Sequence, residues 1–273
     1  MVGVSRPSVL ESTTPVNADF GDSPVMASVP EGDISALRIL HVSAPGPAGG
    51  LESVIAALTP GLRARGHSVG LAALIGPGEA PPFLDQIATA GVEVHPMRAS
   101  GRAYLRQRRL AMELARSWQA DIVHTHGYHA DVVVGTAAVR AGFATVSTVH
   151  GFTGGDWKNR IYEILQLRAF RRLSAVVAVS GPLQARLAAS GLPGTRLHLI
   201  RNAWVPGASV MGRAEARKSL GLPRAEPVVG WVGRLSAEKG PDVFLAAIGL
   251  GSWRASVVGD GRLRAQLEQV AAG

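Results

Sequence analysis

The chain has 273 residues, in which 28 Lys and Arg stand against 20 Asp and Glu for a formal charge of +8. At roughly 100–200 residues per domain this is one large domain or two small ones, and a composition of 47% apolar and 18% charged residues excludes wholesale disorder. The lack of cysteine removes disulfides, thiolate metal sites and a cysteine nucleophile together, and agrees with a reducing compartment.

Residues 1–33 are rich in Ser, Pro and Val, carry Asp19, Asp22, Glu31 and Asp33 near their end, and lack the basic start and apolar run of a signal peptide. They read as a disordered tail. From Leu37 onward short apolar runs alternate with longer amphipathic ones. The strands expected are 37–43, 68–75, 92–96, 121–125, 145–150, 175–180 and 196–201. Between them, helices are expected at 51–65, 82–90, 103–118, 130–141, 157–172 and 182–190. Pro60 falls inside the first of these helices and should kink or shorten it. The strands are nearly continuous hydrophobic runs, the pattern of strands covered on both faces, and the repetition of strand and helix predicts an open parallel α/β sheet.

A Pro-, Gly- and Ser-containing stretch at 205–212 reads as a linker. Beyond it come helix 213–220, strand 227–232, helix 241–248, strand 256–258 and helix 262–272. The expected organisation is therefore a tail (1–33), a complete Rossmann-like domain (34–203) and the first part of a second (204–273). That second part is shorter than the ~100 residues of a doubly wound domain, which leaves a raw sheet edge. No window approaches ~18 uninterrupted apolar residues, so no membrane span is expected.

Four motifs sit where a predicted strand ends, which is where ligands bind in such sheets. Pro45-Gly46-Pro47-Ala48-Gly49-Gly50-Leu51-Glu52 opens a helix, and its glycines let backbone amides approach an anion, though a plain tight turn reads equally well. His124-Thr125-His126-Gly127-Tyr128-His129 packs three histidines into six residues. Zinc ligation, polar lining of a cleft and a purely structural role are the three readings, and the spacing lacks the i, i+4 pair and carboxylate of a familiar zinc motif. His150, in Thr148-Val149-His150-Gly151, either orients a hydroxyl or shuttles a proton, or is a satisfied strand-end histidine. The most specific is Gly233-Arg234-Leu235-Ser236-Ala237-Glu238-Lys239-Gly240, with Val258-Gly259-Asp260-Gly261 one unit later. Two fixed cations beside a helix start make a receptor for a diphosphate, and the spacing excludes a P-loop. The chain contains neither an Asp-x-Asp nor a paired-carboxylate glycosidase arrangement.

Taken together, Gly49-Gly50-Leu51-Glu52, the 121–127 strand end (DIVHTHG), 148–151, Val179-Ser180 and the GRLSAEKG segment resemble the retaining, family-four type of GT-B glycosyltransferases. The resemblance runs from Leu37 to Gly273. It implies two Rossmann-like domains facing across a cleft, with a nucleoside-diphosphate sugar held by the second and no metal or cofactor. By position, Arg234 and Lys239 look like the donor-phosphate pair, with Gly50 as the first-loop backbone beside them. His150 looks like the catalytic cleft histidine beside the transferred sugar. Gly49, Glu52, His126 and Asn202 fall on the acceptor and cleft side. Two departures matter. Arg201-Asn202-Ala203 stands where the family usually has Pro-Asn-Gly, and the family's pair of glutamates eight positions apart has no counterpart in these residues.

The function implied is sugar transfer with retention, impaired here by the missing glutamate motif. The alternatives are a non-catalytic binding or regulatory module that keeps the acceptor domain, and a nucleotide-sugar epimerase of the same fold. The partners expected are a nucleotide-sugar donor, an acceptor among sugars, lipid-linked glycans and small molecules, and no nucleic acid. Trp157 to Tyr162 and 168–172 mix aromatics with cations, which suits a membrane surface, although Ile161, Leu165 and Phe170 of that helix should pack on the sheet. The expected location is cytoplasmic, with peripheral attachment at the inner face of the membrane and plain solvated helix faces as the two readings of this surface.

Overall fold

The computed structural model describes residues 2–5, 35–46, 49–78, 80–100, 102–152, 157–203 and 211–272, without the side chains of 2–5, 157–159 and 272. These fall into two compact units, one within 28–205 and the other made of Val2–Ser5 together with 211–272. The first strand of the chain, β1 (Val2–Ser5), belongs to the smaller unit.

The larger unit is a seven-stranded, wholly parallel sheet. Its strands are β2 (Arg38–Ser43), β3 (Ser68–Ile75), β4 (Glu93–Arg98), β5 (Ile122–His126), β6 (Ala144–Val149), β7 (Ala175–Ala178) and β8 (Leu197–Leu199), in the spatial order β4-β3-β2-β5-β6-β7-β8. The chain winds outward from β2 to β4, returns to place β5 beside β2, and winds away in the opposite sense. The switch point of this doubly wound sheet thus lies between β2 and β5, where the loops leaving the two strands diverge and open a crevice. Pro96 lies on β4, an edge strand, where its missing N–H breaks no central ladder.

Both faces of the sheet are covered, as the unbroken apolar runs require. On one face Val69, Leu71, Ala73 and Ile75 of β3 pack under Ile55 of α1 (Gly50–Ala64) and Phe83, Leu84 and Ile87 of α2 (Pro82–Thr89). On the other, Leu40, Val42, Ala72, Leu74 and Val123 meet Ala111, Met112 and Ala115 of α3 (Tyr104–Ser117), with Trp118 at its end. Each such aliphatic side chain contributes about 1.5–3 kcal/mol on burial. α1 runs through Pro60 to Ala64 without being shortened. A proline forfeits one amide bond, and the buried Ile55 and Thr59 beside it anchor that stretch to the sheet.

After β5 the chain forms α4 (Tyr128–Ala130), a π turn (Asp131–Gly135) and α5 (Thr136–Arg140) in direct succession, a bulge that periodicity did not anticipate. The unit is completed by α6 (Trp157–Phe170) and α7 (Gly181–Ala189). α6 corrects one expectation. Phe170 is fully buried, but Ile161 and Leu165 are 46% and 38% exposed, because the helix packs through Gln166, Ala169 and Phe170.

The smaller unit is a three-stranded parallel sheet of order β1-β10-β9, with β9 (Val228–Val232) and β10 (Arg254–Val258), flanked by α8 (Arg213–Ser219), α9 (Pro241–Gly249) and α10 (Arg264–Ala272). Leu235, Leu245, Val257 and Leu267 form its core. Val2–Ser5, expected within a disordered tail, instead pair with 255–258 and cover the edge of β10 that the sequence reading left raw. The remaining tail residues 6–34 and linker residues 205–210 lie outside the described residues.

Candidate functional site

The carboxyl ends of β2, β5 and β6 bring together three of the four motifs. α1 begins at Gly50 with the extended Gly49 as its cap, and no side chain among the described residues satisfies the first amides of the helix. These unpaired N–H groups and the positive end of the helix dipole suit an anion. A Cβ built on Gly50 meets nothing within 4 Å among the described residues, so none of these demands glycine there. Glu52 folds the loop back by accepting the Gly46 N–H at 2.8 Å; Pro47 and Ala48 lie outside the described residues. Gly127, with φ of +82°, turns the chain out of β5 close against Leu51, 3.2 Å from where its Cβ would be.

Beneath this loop runs a series of histidines on one face of the sheet. Parallel register sets His41 opposite His124 and Ser43 opposite His126. His41 Nδ1 lies 2.9 Å from His126 Nε2, and His126 Nδ1 lies 3.3 Å from His150 Nε2. His124 Nε2 lies 2.8 Å from the Thr148 hydroxyl, and the His124 ring stacks on that of His126 at 4.3 Å. Burial is the first cause that holds all four below the ordinary histidine value. Neighbouring imidazoles add to it for His41 and His126, and His150 adds to it for His124, which is lowered to about 4. At His150 the Glu52 carboxylate opposes part of the burial effect. The series is therefore neutral at pH 7.

The zinc reading of the histidine cluster narrows here. His129 stands apart, bonded to Gln107 at 2.8 Å. The group whose ring nitrogens lie within 4.8 Å of one another is His41, His124 and His126. Two imidazole nitrogens on one tetrahedral zinc stand roughly 3.3 Å apart, whereas those of His41 and His126 are at 2.9 Å, the distance of a hydrogen bond. The donor set fits a shared proton better than a metal.

The opposite face of the same strands carries a second buried polar group. Asp131, in the π turn, accepts the Thr125 and Ser147 hydroxyls on Oδ1 at 2.5 and 2.7 Å and the Gln166 amide on Oδ2 at 2.7 Å. Burial raises its carboxyl to about 6, against the opposing effect of those three hydrogen bonds. Neither His41 nor Asp131 was singled out from the sequence. His41 interrupts the apolar run RILHVS on the face shared by Ile39 and Ser43, which was the available signal; Asp131 had none, since only the π turn aims it inward.

In the smaller unit, Leu235 N–H bonds the Asp260 carbonyl and Leu263 N–H bonds the Leu235 carbonyl, closing the GRLSAEKG loop onto the VVGDG turn. A Cβ on Gly259 would stand 1.9 Å from the Gly233 carbonyl oxygen and one on Gly261 2.4 Å from that of Leu235, so both glycines are required by backbone contact. Arg234 pairs with Glu238 at 3.6 Å on the surface, and Lys239 makes no ion pair among the described residues. Asn202 is exposed beyond β8, two strands from β6, with no hydrogen bond among the described residues.

A doubly wound parallel sheet with loops gathered at its switch point, joined in sequence to a second parallel unit, defines the chain as an α/β protein of GT-B-like fold. Within that class it belongs to Glycosyltransferase Family 4, whose sequence model matches residues 48–204. The chain is similar to the D-inositol 3-phosphate glycosyltransferase of Segniliparus rotundus, with 26% identity over 250 residues, 78% of this chain and 54% of that protein. It therefore spans about half the length of this curated relative. Among solved structures it is similar to HepE of Anabaena in complex with UDP-glucose, with a TM-score of 0.69 at 19% identity over 86% of this chain and 65% of that one. It is also similar to sucrose-phosphate synthase of Thermosynechococcus elongatus, at 0.62 and 15% over 86% and 68%. At these identities the likeness to the solved structures is one of fold.

Proposed function

We propose that the chain carries the acceptor domain and the first donor-phosphate elements of a retaining, nucleotide-sugar-dependent glycosyltransferase. The observation that carries this reading is the convergence of the Gly49-Gly50 helix start, Glu52, His126 and His150 at the switch point, inside the segment that matches the family. Transfer breaks the bond from the sugar's anomeric carbon to the diphosphate and forms one to an acceptor oxygen on the same face, the acceptor proton passing to the departing phosphate. Charge then accumulates on the diphosphate, which calls for fixed cations and helix-start amides. Arg234 and Lys239 supply the cations in this reading, and Gly50 the amide. Because Arg234 is held, among the described residues, only by an exposed pair with Glu238, worth about 0–1 kcal/mol, it can exchange that partner for a phosphate at little cost. His150 faces the transferred sugar, while Gly49, Glu52, His126 and Asn202 border the acceptor side. No metal or cofactor is called for.

The glutamates that the family uses for ribose and sugar are absent from these residues, so binding is a better first test than turnover, which we propose is impaired in this polypeptide. Calorimetric titration of the 273-residue chain with UDP is expected to give saturable binding, and its absence would sink the reading. Where turnover is measurable, the product's anomeric configuration reports retention, and an epimerised nucleotide sugar would instead favour the epimerase. A non-catalytic module would bind acceptor without any donor. The exposed Ile161, Ile164 and Leu165 of α6, with Arg160 and Arg168 beside them, support a cytoplasmic protein docked at an anionic membrane surface. No helix among the described residues is long and apolar enough to cross a membrane. Co-sedimentation with anionic but not neutral liposomes is the expected outcome.

A further inference from the structure

The imidazole series His41–His126–His150 has two unlike ends. At one, His41 Nε2 is fully buried with no hydrogen-bond partner among the described residues. At the other, His150 is partly exposed and spends Nε2 on His126, which leaves Nδ1 for any further partner. Three neutral imidazoles offer three N–H groups, two of which fill the internal hydrogen bonds. Only two arrangements satisfy both bonds. In the first, every N–H points from His41 toward His150: His41 Nδ1–H donates to His126 Nε2, His126 Nδ1–H donates to His150 Nε2, and His150 carries its proton on Nδ1. In the second, every bond is reversed, which strands an N–H on His41 Nε2 in the core.

A buried N–H without an acceptor is the rarer and costlier orphan, whereas a bare ring nitrogen loses only a weaker acceptor interaction. The first arrangement therefore wins. His124 stays outside the series, bonded to Thr148, and its ring stacked on His126 steadies the middle imidazole.

We infer that His41 and His126 are positioning residues that lock His150 in its Nδ1-protonated tautomer, making it an obligatory hydrogen-bond donor to an oxygen of the bound ligand. The orphaned nitrogen in the core is what sets the polarity of the site. The ligand chemistry that fits is a hydroxyl, carbonyl or phosphate oxygen opposite His150, and an ammonium or a bare methylene there is rejected. This consequence rests on the reading of His150 as the residue facing the sugar, whereas the tautomer does not.

The test is long-range 1H–15N spectroscopy of the full chain labelled at histidine, with His150→Gln used for assignment. The expected result is a pyrrole-type Nδ1 and a pyridine-type Nε2 at His150, giving way to a tautomer mixture in His126→Leu. A protonated Nε2 at His150 in the unsubstituted chain overturns the inference, which stays decidable if the variant fails to fold. An unchanged tautomer in a folded His126→Leu overturns it too, as does stoichiometric Zn2+ uptake by His41, His124 and His126. Adding UDP-glucose is expected to shift the His150 Nδ1 proton. No shift, with the tautomer as expected, counts against the glycosyltransferase reading alone.

Discussion

The two faces of β5 and β6 hold two buried polar clusters built from alternate residues, and they are finished differently. On one face Thr125 and Ser147, with Gln166, give every acceptor of Asp131 a donor. On the other, His126 joins His41 and His150 in a series that begins at a nitrogen unmatched among the described residues and ends at the crevice, with the His124 ring stacked beside it. A polar cluster whose members satisfy one another fastens the fold and has nothing left to offer a ligand. One with an unmatched end is polarised, and its free valence points out of the core. The first face ties β5, β6, α6 and the π turn together; the second opens toward the crevice.

The sharpest way to break this contrast is by substitution. Asp131→Ala leaves the buried Ser147 hydroxyl and Gln166 amide without their acceptor, and the Thr125 hydroxyl with only the Val146 carbonyl, and is expected to lower stability by about 3–5 kcal/mol, read by urea denaturation. His41→Leu removes a nitrogen that was already unmatched together with a single bond, from Nδ1 to His126, and should cost about 1 kcal/mol. Comparable losses in the two variants would mean that the histidine series is also a fastener.

Acid separates the faces by sign. His41, His124 and His126 titrate below 6.5 in the folded chain, so unfolded histidines take up protons that folded ones do not. Their contribution is present above about pH 6.5 and is lost as pH falls below it, toward about 4 in the case of His124. Asp131 runs the other way: with a folded value of about 6 against 3.8, its contribution is present below about pH 4 and is lost as pH rises through about 6. Three groups against one predict net acid destabilisation, steeper in Asp131→Asn, and urea midpoints at about pH 7 and about pH 5 check it. The smallest effect on stability belongs to the exposed cations. Arg234→Ala with Lys239→Ala should leave unfolding within about 0.5 kcal/mol yet weaken UDP binding tenfold or more, about 1.4 kcal/mol.

Most of the fold was legible because buried parallel strands announce themselves as unbroken apolar runs. The predicted 68–75 is β3 to the residue, and 121–125 and 145–150 are β5 and β6 shifted by one. What escaped were features that local pattern does not encode. The π turn at Asp131–Gly135 has the composition of an ordinary helix. Ile161 and Leu165 have the spacing of a buried stripe but extend beyond the packed half of α6. Val2–Ser5 form a strand only because β10 presents an edge to pair with. The site was half legible: His126, His150 and the Gly49-Gly50 loop could be named, but His41 looked like one polar residue in a strand.

The sequence by itself determined the alternation of strands and helices, the glycines that let Gly233–Leu235 meet 259–261, and the residue types gathered at strand ends, because periodicity and backbone sterics are local. Only the tertiary structure decided that β5 returns beside β2. That one crossover sets His41 opposite His124 and Ser43 opposite His126, and it turns scattered histidines into a directed series. Register between distant strands is fixed by packing both faces of the sheet at once, and no single segment carries that information.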